Sequence, residues 1–171
     1  MNIAEFQKVS EKQFAEDIMK VMNIGADEAH DIYERLKLPA RATQGSAGYD
    51  FTAPCDLKIN AGESILIPTG IRARIDDGWV LLLFPRSGLG FKYRFQLDNS
   101  VGVIDADYYS ADNEGHIMAK MTNDNREGKV LEIKAGKGFM QGVFVPFGTA
   151  DATEVTGKRR LGFGSTDKEK G

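Results

Sequence analysis

From Ala40 onward the apolar residues recur at every second position in short runs, and each run is soon cut by glycine, proline or asparagine. Short antiparallel strands satisfy that pattern; long helices and a parallel α/β sheet do not. Leu57 with Ile59, Ile65 with Ile67, Ile71 with Ile75, and the run 79–84 read as strands, separated by turns at 60–62, 68–70 and 76–78. The alternation resumes at 117–121, 130–133 and 139–147, with turns at 123–128 and 135–138. So many short strands predict an all-β body built as a sandwich, jelly roll or closed barrel.

Residues 1–38 have a different period. Ser10 and Gln13 form a capping-box pattern ahead of Phe14, Ile18, Val21 and Met22, which share one helical face, and Gly25 is expected to end that helix. A second helix is expected over about 27–36, with Ala29, Ile32, Tyr33 and Leu36 inward, until Pro39 stops it. The division predicted is a helical N-terminal extension (1–38), a β core (39–157) and a flexible C-terminal arm (158–171). The helical stripes suit packing against the core or a neighbouring subunit; docking of a protein partner is the other reading.

With 171 residues the chain can bury the core of one domain. Its net charge of −3 argues against a dedicated nucleic-acid binder, so any anion site must be a local cluster of Arg and Lys. The single cysteine, Cys55, excludes an intrachain disulfide, and His30 and His116 alone cannot make a zinc centre. Charged residues interrupt the N-terminus where a signal peptide needs an apolar run, and no run of apolar residues is long enough to span a bilayer. The expectation is a cytoplasmic protein that neither enters nor crosses a membrane.

Five segments place polar groups where a plain β protein would have simple turns. In residues 47–53, AGYDFTA, Asp50 sits between Tyr49 and Phe51. In residues 85–90, PRSGLG, Arg86 and Ser87 emerge at a strand end beside flexible glycines, a combination suited to a phosphate chain. In residues 99–110, NSVGVIDADYYS, strand alternation would put Asp105 and Asp107 on one face, where paired carboxylates can yield a usable base. In residues 138–147, GFMQGVFVPF, Gln141 is the one polar residue of a strand and must find partners. Last comes GFGST at 162–166, whose glycines, ring and hydroxyls suit closure over a flat anionic ligand, with Lys158, Arg159 and Arg160 just upstream. Each segment alone could be an ordinary turn, strand or frayed terminus.

Their joint order is far more specific. AGYD, PRSGLG, NSVGVIDADY, a strand with a single glutamine and a terminal GFGST resemble, in sequence order, the motifs of the homotrimeric deoxyuridine triphosphatase (dUTPase) family, over about residues 36–166. The resemblance implies a β jelly roll assembled as a homotrimer. It also implies Mg²⁺-dependent hydrolysis of dUTP to dUMP and pyrophosphate by water attack on the α-phosphorus, which limits uracil in DNA and supplies dUMP.

Carried over by position, Asp105 is the general base, and Tyr108 packs on the deoxyribose where a 2′-hydroxyl would clash. Asn99 and the backbone at Val103 and Ile104 read the uracil edge, and Met118 lines the nucleoside pocket. Arg86, Ser87 and Gly88 bind phosphate, Gln141 lies near the catalytic water, and Asp50 supports Mg²⁺ through a water. From the arm, Phe163 stacks on uracil, while Gly164, Ser165, Thr166 and a basic residue such as Arg160 hold phosphates. The sites are implied to combine motifs from three subunits.

The chain departs from the family pattern in places. The stretch between Tyr108 and Gly115 is longer than the compact form, and Lys137 and Gly138 stand where an acidic residue and an arginine are usual. Leu161 replaces a glycine, Lys158 an arginine, and Asp167 a final glycine. Two other functions remain open at this stage: a related-fold dCTP deaminase, and a nucleotide-gated regulatory protein whose helices contact a partner.

Overall fold

Twelve strands and three α-helices make up the described part of the chain, residues 2–150, in a computed structural model. The order is β1 (Ala4–Lys8), α1 (Glu11–Met22), α2 (Ala26–Arg35), β2 (Ala40–Arg41), β3 (Tyr49–Thr52), β4 (Leu57–Ile59), β5 (Ser64–Pro68), β6 (Ile71–Ile75), β7 (Trp79–Pro85), α3 (Ser87–Tyr93), β8 (Phe95–Leu97), β9 (Gly102–Ile104), β10 (Met118–Asn123), β11 (Leu131–Ile133) and β12 (Gly138–Pro146). A 3₁₀ turn, Ala106–Ser110, follows β9. The protein is thus mostly β, as the alternation predicts. The chain of the arm lies outside the described residues, and so do its candidate residues Arg160, Phe163, Gly164, Ser165 and Thr166.

The largest sheet has the order β2-β3-β12-β7-β9, with β5-β10-β8, β1-β6 and β11-β4 completing the strand pairings. All of these pairings are antiparallel. Alternate residues point into one core that includes Phe51, Leu57, Ile59, Ile67, Leu81, Leu83, Phe95, Met121 and Phe139. Full burial of side chains this size is worth about 1.5–3 kcal/mol each, so inward alternation is what fixes the strand registers.

The N-terminal segment is not simply two helices. Residues 4–8 form β1, which pairs with β6 from Ala4 opposite Ile75 to Lys8 opposite Ile71. Phe6 meets Tyr49, Phe51 and Phe144 at centroid distances of 5.3, 5.6 and 5.6 Å. Helices α1 and α2 then bury Phe14, Ile18, Ala29 and Ile32 with Val9 in a second cluster.

Two cap details differ from expectation. Helix α1 ends at Asn23, in the left-handed region at φ 53°, and Gly25 is the N-cap of α2. Ser10 Oγ accepts from the Gln13 amide as a capping box requires, but the Ser10 amide donates to Glu114, and the Gln13 side chain donates to Asp17. The helical layer rests on the β5–β6 turn, where Gly70 has φ +73° and a Cβ would come within 2.2 Å of Leu36 Cδ1. Only glycine meets both demands there.

Candidate active site

Three of the motif segments meet in the large sheet. Gln141 on β12 lies opposite Asp50 on β3 and, across its other edge, opposite Phe84 on β7. Arg86 leaves the end of β7, and its Nε stands 3.4 Å from Asp50 Oδ1. The Arg86 amide donates to the Phe139 carbonyl and Gln141 Nε2 to the Pro85 carbonyl, both at 3.4 Å. The Arg86 side chain is 45% exposed and that of Asp50 27%, so their ion pair adds little stability. Its effect is to hold a guanidinium and a carboxylate side by side at the sheet surface.

Two glycines make room for this group. A Cβ on Gly138 would sit 2.7 Å from Arg86 Nη1, and one on Gly48 would sit 2.6 Å from Gln141 Oε1. The departure at Gly138 therefore has a local reason: the space a side chain would take is filled by Arg86. Gly88 is the opposite case, because a Cβ there would meet nothing within 4 Å. The fold does not demand glycine at 88, which leaves close backbone approach to a ligand as a physical reason for it.

PRSGLG, read as a strand end or turn, instead opens a helix. Arg86 is the N-cap of α3, with Ser87 and Gly88 in its first turn. The amides of Leu89 and Gly90 both donate to the Arg86 carbonyl. Among the described side chains, Phe91 on this helix is 90% exposed.

The aspartate-bearing segment turns tightly from β8, which pairs with β10, into β9, which pairs with β7. Ser100 takes φ 67° at its tip beside Asn99, and β9 forms the edge of the large sheet next to β7. Asn99 is exposed and Val103 is 53% exposed. The strand stops at Ile104, and Asp105 caps the 3₁₀ turn. Asp105 and Asp107 are therefore not neighbours on one strand face, because the period of two that would align them has ended before Asp105. Tyr108 is only 3% exposed; its amide donates to the Asp105 carbonyl at 3.2 Å and its hydroxyl to the His116 carbonyl at 2.8 Å. Met118, half-buried, opens β10 opposite Pro68.

The two halves of the candidate site do not meet within one chain. Register places Gly102, Val103 and Ile104 opposite Leu83, Leu82 and Leu81, so Asp105 lies toward the start of β7 while Arg86 follows its end. About six residues of strand separate those levels, on the order of 20 Å. Asp50, Arg86 and Gln141 are brought together; Asp105 and the buried Tyr108 lie apart from them, whereas Asn99, three residues before the partner of Leu83, lies toward the end of β7 that Arg86 follows.

Sequence reasoning passed over His116, weighing it only as a zinc ligand. It is 0% exposed, and its Nε2 accepts from the Gly70 amide while Nδ1 faces Asp17 Oδ2 at 2.5 Å. Burial works to raise the Asp17 carboxyl, but hydrogen bonds from His116 and Gln13, with the charge of Lys20, outweigh it and hold the carboxyl below its ordinary value. A charged helix residue aligned with a histidine far along the chain has no local signature.

Comparison with known proteins agrees with the motif order. A dUTPase family model matches residues 34–167. The deoxyuridine 5′-triphosphate nucleotidohydrolase of Lactococcus lactis is 46% identical over 134 residues, covering 77% of this chain and 88% of that protein. The protein of that name from Paraburkholderia phytofirmans is 38% identical over 146 residues, covering 81% and 94%. The crystal structure of dUTPase from Streptococcus mutans superposes with a TM-score of 0.63 at 34% identity, covering 86% of this chain and 98% of that one. The dUTPase from phage phi11 of S. aureus shares the fold at 20% identity and a TM-score of 0.63, covering 91% and 97%. With most of its length matched by the family and by relatives nearly full-length themselves, this chain belongs to the dUTPase family.

Proposed function

We propose that this protein hydrolyses dUTP to dUMP and pyrophosphate as a homotrimer with shared active sites. Water attacks the α-phosphorus, the bond to the bridging α–β oxygen breaks, and the water's proton passes to Asp105. The observation that carries the shared site is the separation of Asp105 from Arg86. Both are assigned to one reaction, yet about 20 Å of strand keeps them apart in one chain. A closed three-fold ring removes that difficulty by bringing the Asp105 segment of one subunit to the phosphate-binding group of another.

Arg86 with Ser87 and Gly88 holds the phosphates, and Gln141 orients the water beside them. The open edge of β9 at Val103 and Ile104, with Asn99, offers backbone groups to the uracil edge. A slot fitted to that edge rejects bases that leave its polar groups unpaired. Tyr108 and Met118 form the wall behind the deoxyribose. Phe163, Gly164, Ser165 and Thr166, with Arg160, close the site from the arm and exclude bulk water.

Mg²⁺ fits this donor set. Among the described residues no three His, Cys, Asp or Glu side chains form a metal cage, and a single carboxylate, Asp50, stands in the phosphate-binding group. Mg²⁺ is typically held by one or two carboxylates, water and substrate phosphates. Asp50 would support the ion through water, and the ion would neutralise charge on the triphosphate. We further assign the sheets to a jelly-roll arrangement and the protein to the cytoplasm. Residues 39–157 are read as the core and 158–171 as its arm.

A panel of dUTP, UTP, dTTP and dCTP with product analysis tests the function. Pyrophosphate and dUMP from dUTP alone are expected; ammonia from dCTP, or dUTP binding without turnover, would overturn it.

A further inference from the structure

Resting on the reading of Asp105 as the general base, we propose that Asp17 on α1 is a positioning residue for the Asp105-bearing segment. It acts by fixing His116 and, through the His116 carbonyl, the Tyr108 hydroxyl and the turn that begins at Asp105. The long stretch after Tyr108 is where the chain departs from the compact family form, and such a loop needs its own restraints. The N-terminal segment supplies them.

Tyr109 Oη donates to Gln7 Oε1 at 2.7 Å. Glu114 accepts from the Ser10 amide at 2.7 Å and from its hydroxyl at 2.6 Å. The Arg72 guanidinium lies 3.7 Å over the Tyr109 ring, with Nη1 3.8 Å from Glu114. Asp17 adds a route through the buried core, by way of His116.

The tautomer of His116 follows from its partners. Gly70 N–H can only donate, so Nε2 is the acceptor at 2.8 Å and Nδ1 carries the proton toward Asp17. Asp17 thereby sets both the tautomer and the ring orientation of a fully buried residue. Its backbone carbonyl in turn accepts the Tyr108 hydroxyl at 2.8 Å and Asn113 Nδ2 at 3.4 Å. Tyr108 closes the turn onto the Asp105 carbonyl. Three hydrogen-bonded steps thus join a helix outside the family-matched region to the catalytic aspartate, and a misplacement of about 1 Å at a reacting group can lower turnover on the order of a hundred-fold.

The test is steady-state kinetics with dUTP on the full-length protein. Asp17→Ala is expected to lower kcat by about ten- to a hundred-fold with KM within about three-fold. Asp17→Asn, whose amide oxygen can still accept from Nδ1, is expected to recover most of that loss. Ile32→Ala loosens the same helical layer without touching the link, so it should lower Tm and leave kcat near wild type. If Asp17→Ala folds poorly, Tyr108→Phe removes only the hydroxyl step and should lower kcat in the same way.

Wild-type kcat in Asp17→Ala or, where that protein is unstable, in Tyr108→Phe would overturn the proposal. So would equal kcat losses in Asp17→Ala and Ile32→Ala. A wild-type protein that releases no pyrophosphate from dUTP would instead overturn the underlying function, and this proposal with it.

Discussion

Arg86 and Asp105 stand at opposite ends of β7, one continuing from its last residue and the other lying beyond the partner of Leu81 on β9. No local rearrangement of a turn closes a gap of roughly 20 Å. Mixed trimers of Arg86→Ala and Asp105→Asn chains should therefore be active where neither parent is. Loss of Asp105, the proposed base, is expected by itself to reduce turnover by about a hundred- to ten-thousand-fold. Any mixed ring of three places one good aspartate beside one good arginine once, and about three-quarters of randomly assembled trimers are mixed, so about a quarter of wild-type activity should return. A mixture that exchanges subunits and stays at the parental level would mean that both residues come from one chain.

Gly138→Ala probes the space occupied by Arg86. The added methyl would meet Nη1, the end of a flexible side chain, at 2.7 Å, so the fold should tolerate it with about 1 kcal/mol or less of destabilisation. Displacing Arg86 from Asp50 should lower kcat/KM for dUTP by roughly ten-fold, since about 1.4 kcal/mol of lost phosphate contact corresponds to that factor. Denaturant titration and kinetics on one preparation separate the two effects. Unchanged kcat/KM would show that this placement of Arg86 is unimportant.

Gly70→Ala should do the reverse. The backbone has φ +73°, and a Cβ would press within 2.2 Å of Leu36 and 3.1 Å of Phe14. Strain and displaced core packing together are expected to destabilise the protein by about 2–4 kcal/mol, with urea unfolding as the measurement. A midpoint within error of wild type would contradict the close seating of the helical layer on this turn.

Acid should loosen the same layer. Asp17 is held below its ordinary 3.8, where burial is outweighed by the His116 and Gln13 hydrogen bonds. Glu114 is held below its ordinary 4.5, chiefly by the Ser10 hydroxyl and amide. A carboxyl depressed in the folded state contributes stability that is present above its unfolded value and lost as pH falls through its folded value. Between about pH 5 and about pH 2, wild-type stability should fall more steeply than that of Asp17→Asn/Glu114→Gln, which lacks both titrations. Parallel curves would show that these two carboxyls carry no linked stability.

What the sequence determined by itself were the features that short stretches of chain can encode. Period-two alternation placed most of the core strands, because side chains of a strand face opposite sides whatever lies across the sheet. Turns were marked by residues such as Gly62, Gly78, Gly128 and Gly136, which all take positive φ for steric reasons internal to a few residues. The order of the motifs was equally readable, and with it the family. Tertiary structure decided whatever depends on partners distant in sequence. Residues 4–8 alternate too briefly to announce a strand, and become one because β6 offers an edge and Phe6 finds three rings. Strand β9 ends at Ile104, where its pairing with β7 ends, so the side-by-side aspartates expected from alternation do not form. Asp17 meets His116 across 99 positions, and Arg86 fills the space left by Gly138. The separation of Arg86 from Asp105 along β7 likewise came from strand register, because register is a relation between two segments and neither segment contains it alone.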